Sequence, residues 1–348
     1  MSTQPIDQAA IDAAARLLEQ GELVALPTET VYGLGADAEN PQAVAKIYAA
    51  KGRPQDHPVI VHIAPEGKLE HWATDIPPQA HQLAAAFWPG PLTMILKRAP
   101  GIPDAVSGGQ DTVGVRCPSH PVAIALLRAF KKGQGGVAAP SANKFGAVSP
   151  TTAQHVRDEF GADGTVALIL EGGQSEVGIE STIVDMSRLA THGPVLLRPG
   201  HIGAEAIAAV IDMLPVAPDA AAPRASGTLE SHYAPHTPVA MQDTETLRQT
   251  LQTFQQQNRQ TALIHYSDFA HAGPAIRLPA QPEGFAHALY ASLRAMDNAG
   301  ADVILVESPP RTDAWLGVND RLRRAAHGST GIVHGLLNHT APSAPPSS

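Results

Sequence analysis

Cysteine, aromatic residues and positive charge are all scarce in this chain of 348 residues. Its single cysteine, Cys117, excludes a disulfide framework and any zinc site built from several cysteines. Aromatic residues make up 4% of the chain, too few for the stacking platforms that bind single-stranded nucleic acid. The net charge is -9, whereas a nucleic-acid-binding protein usually carries positive charge. Any nucleic-acid contact is therefore expected to be local.

Several motifs that carry well-known chemistry are also missing. No Walker A pattern occurs, no GxGxxG follows a predicted strand, and the histidines form no HExxH pair. The N-terminus lacks a charged and then apolar signal pattern, and no apolar run is long enough to span a bilayer. We therefore expect a soluble, cytoplasmic protein that does not enter a membrane. A bound nucleotide would have to be held by cationic side chains and polar turns.

The arrangement of apolar runs predicts two domains, and the chain is long enough for both. Residues 1–214 hold many short strands that are not evenly interleaved with helices, which favours a twisted, mixed α/β sheet. Residues 215–238, rich in Ala, Pro, Ser and Gly, are predicted to form a linker. In residues 239–338 strands alternate with helices, which is typical of a small three-layer α/β domain with a parallel sheet. Residues 339–348 are predicted to be a disordered tail.

The stretch from Pro27 to Ile63 is unusually dense in residues typical of a site. Gly33 and Gly35 follow a strand end, where a ligand could approach the backbone closely. Asn40-Pro41 predicts a helix that begins there and ends at Gly52, with Lys51 and Arg53 at its end.

Each candidate also has a purely structural interpretation. Lys51 and Arg53 complement a helix dipole, or they bind phosphates. Ser141, Asn143 and Ser149 favour ordinary turns and caps, or they donate hydrogen bonds to a nucleotide.

Three further candidates carry the same ambiguity. A histidine inside an apolar strand, as His62 is, is usually a satisfied core group. Cys117 is more simply a small buried hydrophobe than a nucleophile. The basic run from Arg321 to Arg324 is more simply a solvated helix face than a contact for RNA phosphates.

The motifs combine into an ordered set over residues 27–200: PTETVYGLG, KGRP with HPVIVHI, FWPGPLT, VGVRCP, APSAN, SPT, GIESTIVD and LLRPG. This set closely resembles the YrdC-type threonylcarbamoyl-AMP synthases. HYAPHTPV and the domain after it resemble the long, two-domain form of that family. The resemblance implies a YrdC-like catalytic domain with a concave, locally basic face, followed by a smaller Rossmann-like domain.

The resemblance also implies a reaction. L-threonine, bicarbonate or CO2, and ATP with Mg2+ would give threonylcarbamoyl-AMP and pyrophosphate. The product would pass to the machinery that makes threonylcarbamoyl-adenosine at position 37 of tRNA. The resemblance also allows a weak contact with tRNA or double-stranded RNA. No metal held by protein ligands is expected, and the linker is expected to act as a lid.

The carried-over site residues fall into three groups. Four match the family's KxR and SxN signature, expected to be catalytic around the ATP phosphates: Lys51, Arg53, Ser141 and Asn143. Further ATP-binding positions are His57, Thr112, Ser149, Arg198 and the linker residue Tyr233. Positions expected to hold threonine are Thr30, His62, Arg116, Ala139 and Ser181.

Two departures and two competing functions accompany this interpretation. Many relatives carry Asn where this chain has His57, and a lysine in the linker before the tyrosine is missing here. An RNA-binding or ribosome-maturation module using the basic face is the alternative function. Carbamoyltransferases of hydrogenase maturation share this domain, but they carry zinc-finger cysteines that this chain lacks.

Overall fold

The computed structural model describes residues 6–161, 164–230, 232–329 and 331–338. The predicted tail, residues 339–348, lies outside them. The chain divides into two compact units. The first comprises Met1–Phe145 and Ser149–Thr228, and the second comprises Gly146–Val148 and Leu229–Ser348. The division at Thr228 falls inside the predicted linker.

The first unit is built from short strands and helices. Its helices are α1 (Gln8–Glu19), α2 (Pro41–Lys51), α3 (Leu69–Trp72), α4 (Pro78–Phe87), α5 (Asp104–Ser107), α6 (Pro121–Ala129), α7 (Ala153–Phe160), α8 (Leu189–His192) and α9 (Ala204–Ile211). Its strands are β1 (Val24–Leu26), β2 (Gly33–Asp37), β3 (Ile60–Ile63), β4 (Ala73–Thr74), β5 (Leu92–Arg98), β6 (Thr112–Arg116), β7 (Gly136–Ala138), β8 (Leu168–Ile169), β9 (Thr182–Asp185) and β10 (Val195–Arg198).

These strands form one mixed sheet in the order β10-β9-β5-β6-β3-β7-β2-β1-β8, with β4 paired to β5. Strand β3 runs parallel to β6, and β5 runs parallel to β9. Strand β7 is antiparallel to both β2 and β3. The predicted mixed sheet is therefore confirmed.

Helix α2 shows how local sequence builds this unit. The Asn40 side chain accepts hydrogen bonds from the second and third helical amides, and Pro41 follows it. Gly52 ends the helix in the left-handed conformation, at φ 63°. Both predicted ends are confirmed. Helical spacing places Lys51 on the same buried face as Ile47 and Tyr48.

The glycines of β2 allow neighbouring strands to pack closely against it. Gly33 and Gly35 lie in a buried strand. A Cβ on Gly35 would come within 2.9 Å of a Val137 methyl, and one on Gly33 within 3.1 Å of the Ala139 Cβ. The close approach in the structure is to β7, its continuation and β1, so the packing of strands accounts for both glycines, and the approach of a ligand there stays a prediction.

The main core of the first unit lies on one face of the sheet. It joins apolar side chains of β3, β5 and β6 to helices α2, α4, α7 and α9. A second core packs α1 and α6 against β1 and β7. The opposite face of β5, β9 and β10 carries Ile95, Ile183 and Leu197, against which the linker residues Ala222 and Ala225 pack.

The second unit contains a parallel sheet, as predicted. Its strands, β11 (Val239–Gln242), β12 (Thr261–His265), β13 (Ala275–Arg277) and β14 (Val303–Glu307), lie in the order β11-β14-β12-β13. Its helices are α10 (Thr244–Gln256), α11 (Pro282–Asp297), α12 (Leu316–Ala326) and α13 (Ile332–Asn338). Helix α10 packs on Leu263 and Leu305 together with α13, while α11 contacts β12, β14 and α12.

Candidate active site

Strand pleating places two of the residues predicted to bind L-threonine on the same face of the sheet. Side chains alternate between the two faces of a strand. Val61 and Val115 point into the main core, so their neighbours His62 and Arg116 point away from it. These two residues are direct partners across β3 and β6. The sheet therefore brings together a histidine and an arginine that are far apart in sequence.

Arg116 is held by three hydrogen bonds. It donates to the Glu29 carboxylate at 2.5 Å, to the Thr30 hydroxyl at 2.8 Å and to the Gly90 carbonyl at 3.3 Å. Its side chain is only 4% exposed. A guanidinium has five N–H donors, so one N–H remains on each terminal nitrogen. Such a donor pair suits a carboxylate. Glu29 was not among the predicted site residues.

His62 lies beside this arginine as a neutral imidazole. Burial and the nearby Arg116 charge lower its pKa to about 3. Its Nδ1 lies 3.2 Å from the Ile60 carbonyl. A neutral histidine offers one donor and one acceptor without adding a second positive charge.

Ser181 links the threonine positions to a predicted nucleotide position. Its hydroxyl lies 2.8 Å from that of Thr93 and accepts a hydrogen bond from Arg198 at 3.1 Å. Arg198 also donates to the Ser181 carbonyl, at 3.0 Å, and to the Ser226 carbonyl, at 2.8 Å. One register step beyond the Met94–Val115 pair, Thr93 lies opposite Arg116. Thr93 ends the FWPGPLT motif and Ser226 lies in the predicted linker, but neither was among the predicted site residues.

Lys51 draws Ser141 and Asn143 together. Its ammonium donates to the Ser141 carbonyl at 2.6 Å and to the Asn143 carbonyl through a shorter bond. Its residue is 3% exposed. Within the described residues, no carboxylate lies at ion-pair distance from this ammonium. Burial, and then the neighbouring Arg53 charge, lower the pKa of Lys51 well below its usual value.

Arg53 lies near the same turn. It donates to the Pro58 carbonyl at 2.9 Å and to the Ser226 hydroxyl at 3.4 Å, and it lies 5.8 Å from the centre of the Phe145 ring. The centres of the His57 and Phe145 rings are 5.5 Å apart in a T-shaped arrangement. Burial and the Arg53 charge lower the pKa of His57. Ser226 thus receives hydrogen bonds from two arginines of the predicted ATP site.

The first half of the linker is ordered against this region. The Arg224 amide and carbonyl pair with the Gln110 side chain at 2.7 and 3.1 Å. The Arg224 guanidinium donates to the Asp56 and Gly108 carbonyls at 3.3 and 3.1 Å. These bonds hold the linker beside His57.

The remaining predicted residues are placed as follows. Ser149 is fully buried and donates to the Glu180 carboxylate at 2.5 Å. Thr112 begins β6 and, by pleating, shares the face of Arg116. The Ala139 amide donates to the Ile60 carbonyl at 3.0 Å, so that only its carbonyl remains for a ligand. Tyr233 belongs to the second unit.

Cys117 and the run from Arg321 to Arg324 were expected to have purely structural roles. Cys117 is 2% exposed, and burial raises the pKa of its thiol to about 12, which fits the predicted small hydrophobe. The solvated helix face predicted for the run from Arg321 is wrong for Arg321 and Arg324, whereas the Arg323 side chain is 58% exposed. Arg321 is fully buried and Arg324 is 7% exposed, and both pair with Asp320. The Arg324 guanidinium also donates to the Leu229 carbonyl.

The part of the chain that the structure describes holds neither a metal-binding cluster of side chains nor a helix able to cross a membrane. Residues 6–338, apart from the gaps given above, contain no cluster of three or more His, Cys, Asp or Glu arranged to hold a metal ion. Among the helices in that part of the chain, none is both long and apolar enough to cross a membrane.

Comparison with known proteins matches both units to family models. The Sua5/YciO/YrdC model, whose description is "Telomere recombination", matches residues 16–200. The model described as "Threonylcarbamoyl-AMP synthase, C-terminal domain" matches residues 202–327.

Individual relatives match over almost the whole chain. The threonylcarbamoyl-AMP synthase of Bacillus subtilis is 42% identical over 335 residues, which cover 91% of this chain and 93% of that protein. The enzyme of the same name from Pyrococcus abyssi is 38% identical over 334 residues, covering 92% and 95%. The crystal structure of P. abyssi Sua5 complexed with L-threonine superposes with a TM-score of 0.84 at 36% identity, covering 93% of this chain and 96% of that one. The chain therefore belongs to the Sua5/YrdC family of threonylcarbamoyl-AMP synthases, in its two-domain form.

Proposed function

We propose that this chain forms threonylcarbamoyl-AMP and pyrophosphate from L-threonine, bicarbonate or CO2, and ATP. The names of the relatives support the reaction. The observation that carries the proposal in this chain is the environment of Lys51. A buried ammonium whose hydrogen-bond acceptors are neutral carbonyls is costly. A triphosphate would supply the missing negative charge.

The nucleotide side of the proposed site consists of Lys51, Arg53 and Arg198, with hydroxyl and amide groups around them. Arginine and lysine neutralise the charge that develops on a transferring phosphoryl group. The Ser141 and Asn143 side chains would add neutral donors, as would the hydroxyls of Ser149 and Thr112. Mg2+ would enter with ATP, bound mainly by phosphate and water oxygens.

The threonine side consists of Arg116 and its neighbours. The two remaining N–H groups of Arg116 would bind the amino acid's carboxylate. The Ser181 hydroxyl and the neutral His62 would bind its polar groups, and the Ala139 carbonyl would accept a hydrogen bond. A solved relative holds L-threonine, which supports this assignment.

The chemistry needs positioning more than covalent catalysis. The threonine amine attacks the carbon of CO2 and loses a proton, giving a carbamate. A carbamate oxygen then attacks the α-phosphorus of ATP, and the bond to the pyrophosphate leaving group breaks. Bringing three reactants together and neutralising the phosphates accounts for catalysis of this kind. The buried hydroxyls and cations of the site suit that role.

Two further parts of the proposal follow from the reaction. The product is a reactive mixed anhydride, so we infer that it passes to an enzyme that transfers the threonylcarbamoyl group to position 37 of tRNA. We propose a cytoplasmic location for the protein, where ATP, L-threonine and tRNA would all be available to it.

Pyrophosphate release by the purified chain tests the proposed function. ATP is supplied with Mg2+, with and without L-threonine and with and without bicarbonate. Release that requires both additions is the expected result. Release that ignores threonine would remove the threonine site from the proposal. No release, with salt-dependent binding of tRNA instead, would replace the synthase with an RNA-binding function.

A further inference from the structure

A three-residue segment of the chain belongs to the second unit although its neighbours in sequence belong to the first. Gly146–Val148 groups with residues 229 onward, whereas Phe145 and Ser149 on either side group with the first unit. The backbone enters the segment at Gly146 in the left-handed region, at φ 84°, a conformation that favours glycine. A glycine therefore stands at the position where the chain enters the segment Gly146–Val148.

Two hydrogen bonds hold this segment within the second unit. The Ala234 amide donates to the Gly146 carbonyl at 2.9 Å. The Arg294 guanidinium donates to the Val148 carbonyl through a short bond. Val148 itself is 3% exposed. A charged donor on a buried carbonyl makes a stronger hydrogen bond than a neutral one.

The groups that hold the segment are themselves fixed. Ala234 follows Tyr233, which is 1% exposed and has φ 60°. The Tyr233 ring packs on Tyr290 at 5.6 Å and lies under the Arg321 guanidinium at 5.5 Å. Tyr290 and Arg294 are one turn apart on α11, so they lie on the same helix face. One helix face therefore supports both hydrogen bonds.

The residues flanking the segment are those of the proposed nucleotide site. On one side, the Phe145 amide donates to the Lys51 carbonyl at 2.8 Å, and its ring contacts Arg53 and His57. On the other side, Ser149 donates to Glu180. The contacts of Phe145 and Ser149 thus lie within the first unit, and those of Gly146 and Val148 lie within the second.

We propose that Arg294 is a positioning residue for nucleotide binding, which acts by holding the main chain at Val148 and hence the loop that carries Asn143 and Ser149. This inference rests on the proposed function, since it assigns that loop to ATP. It gives the second unit a role in the synthase reaction. Threonine binding, which depends on other strands, should be insensitive to Arg294.

The first test compares full-length Arg294→Ala, Arg294→Lys and wild type by steady-state pyrophosphate release. Losing a charge-assisted hydrogen bond should raise the KM for ATP about tenfold in Arg294→Ala. The KM for threonine should change less than twofold, and lysine should restore part of the ATP affinity. Arg277→Ala is the matched control, because Arg277 also donates to a main-chain carbonyl of the second unit but is mostly exposed. The control should behave like wild type.

A second readout does not depend on activity. Hydrogen–deuterium exchange should become faster in the peptide spanning residues 143–150 of Arg294→Ala and stay unchanged elsewhere. An unchanged KM for ATP, or unchanged exchange in this peptide, would overturn the proposal. Faster exchange across the whole second unit would also overturn it, by showing a general structural role. If the wild type releases no threonine-dependent pyrophosphate, the proposed function fails, while the exchange result still decides whether Arg294 holds the loop.

Discussion

The Arg116 guanidinium and the Glu29 carboxylate form an ion pair of 2.5 Å, with side chains only 4% and 6% exposed. The other carboxylate oxygen of Glu29 accepts the Ser119 amide at 3.1 Å. Glu29 therefore fixes the direction in which Arg116 presents its remaining donors. A buried charge pair of this kind is strongly coupled, since either partner alone would be left as an unpaired charge.

Glu29→Gln should weaken threonine binding and destabilise the fold. The amide keeps the shape but loses the charge, and breaking a buried pair costs about 3–5 kcal/mol. We expect a KM for threonine raised roughly tenfold or more, measured by pyrophosphate release, together with a lower melting temperature. Glu66→Gln is the control, because its pair with Arg128 has the same 2.5 Å distance but is more than half exposed. Equal effects of the two variants would contradict this role of Glu29.

Lys51→Ala should abolish ATP turnover. It removes a buried charge and both hydrogen bonds that draw the Ser141 and Asn143 carbonyls together. A loss of at least 100-fold in kcat/KM for ATP, about 3 kcal/mol, is expected for a phosphate-binding cation. Lys46→Ala on the same helix is the control, because Lys46 is half exposed and pairs with Glu22. Arg53→Ala should have the same effect as Lys51→Ala. If Lys51→Ala folds and turns over ATP normally, the role of Lys51 is only to interact with the end of its helix.

Ser181→Ala should mainly raise the KM for threonine. The hydroxyl lies between Thr93 and Arg198, so its loss also removes one hydrogen bond from an arginine of the nucleotide side. The expected rise is roughly fivefold to tenfold for threonine, with a smaller change for ATP. Thr93→Val, which keeps the side-chain shape, should change threonine binding in the same direction. An effect confined to ATP would place Ser181 with the nucleotide instead.

His62 should make the fold sensitive to acid. Its pKa of about 3 lies below the ordinary 6.5 of an unfolded chain, so the unfolded state binds the proton first. The contribution is complete above pH 6.5 and is lost progressively as pH falls from 6.5 toward 3. It amounts to about 2 kcal/mol by pH 5. Urea unfolding at pH 7.5 and pH 5 should show a smaller loss of free energy for His62→Gln than for wild type. The exposed His81→Gln should match wild type, and equal pH dependence in all three proteins would contradict the prediction.

Local sequence was enough to predict most helices and strands. Helix α2, with its Asn40 cap and Gly52 end, depends on side chains that satisfy nearby backbone groups. Side chains in β3 and β6 alternate between the two faces of the sheet, which is also a local property, and this alternation predicts which residues share a face. Strand β2 was missed because Gly33 and Gly35 do not favour a strand. The side chains that pack closely on these glycines, Val137 and Ala139, lie about a hundred residues later in the chain.

The partners that complete the candidate site were the least predictable. Glu29 and Thr93 lie inside the motifs PTETVYGLG and FWPGPLT, but nothing local marks them as partners of Arg116 and Ser181, and Ser226 lies in none of the motifs. They matter because sheet pairing and the linker bring them to Arg116, Ser181 and Arg198. The buried state of Arg321 has the same origin, since Asp320 is its neighbour in sequence but only the packed chain places Tyr233 against its guanidinium.

The sequence by itself determined the family, the two α/β units and the residue types of the site, because ordered motifs and strand or helix periodicity are written along the chain. Only the tertiary structure decided which groups lie next to each charged side chain. It paired Glu29 with Arg116, left Lys51 buried among carbonyl groups, and placed the Val148 carbonyl under Arg294. Hydrogen bonds and ion pairs act over about 3 Å, and residues distant in sequence reach that distance only after the strands have paired.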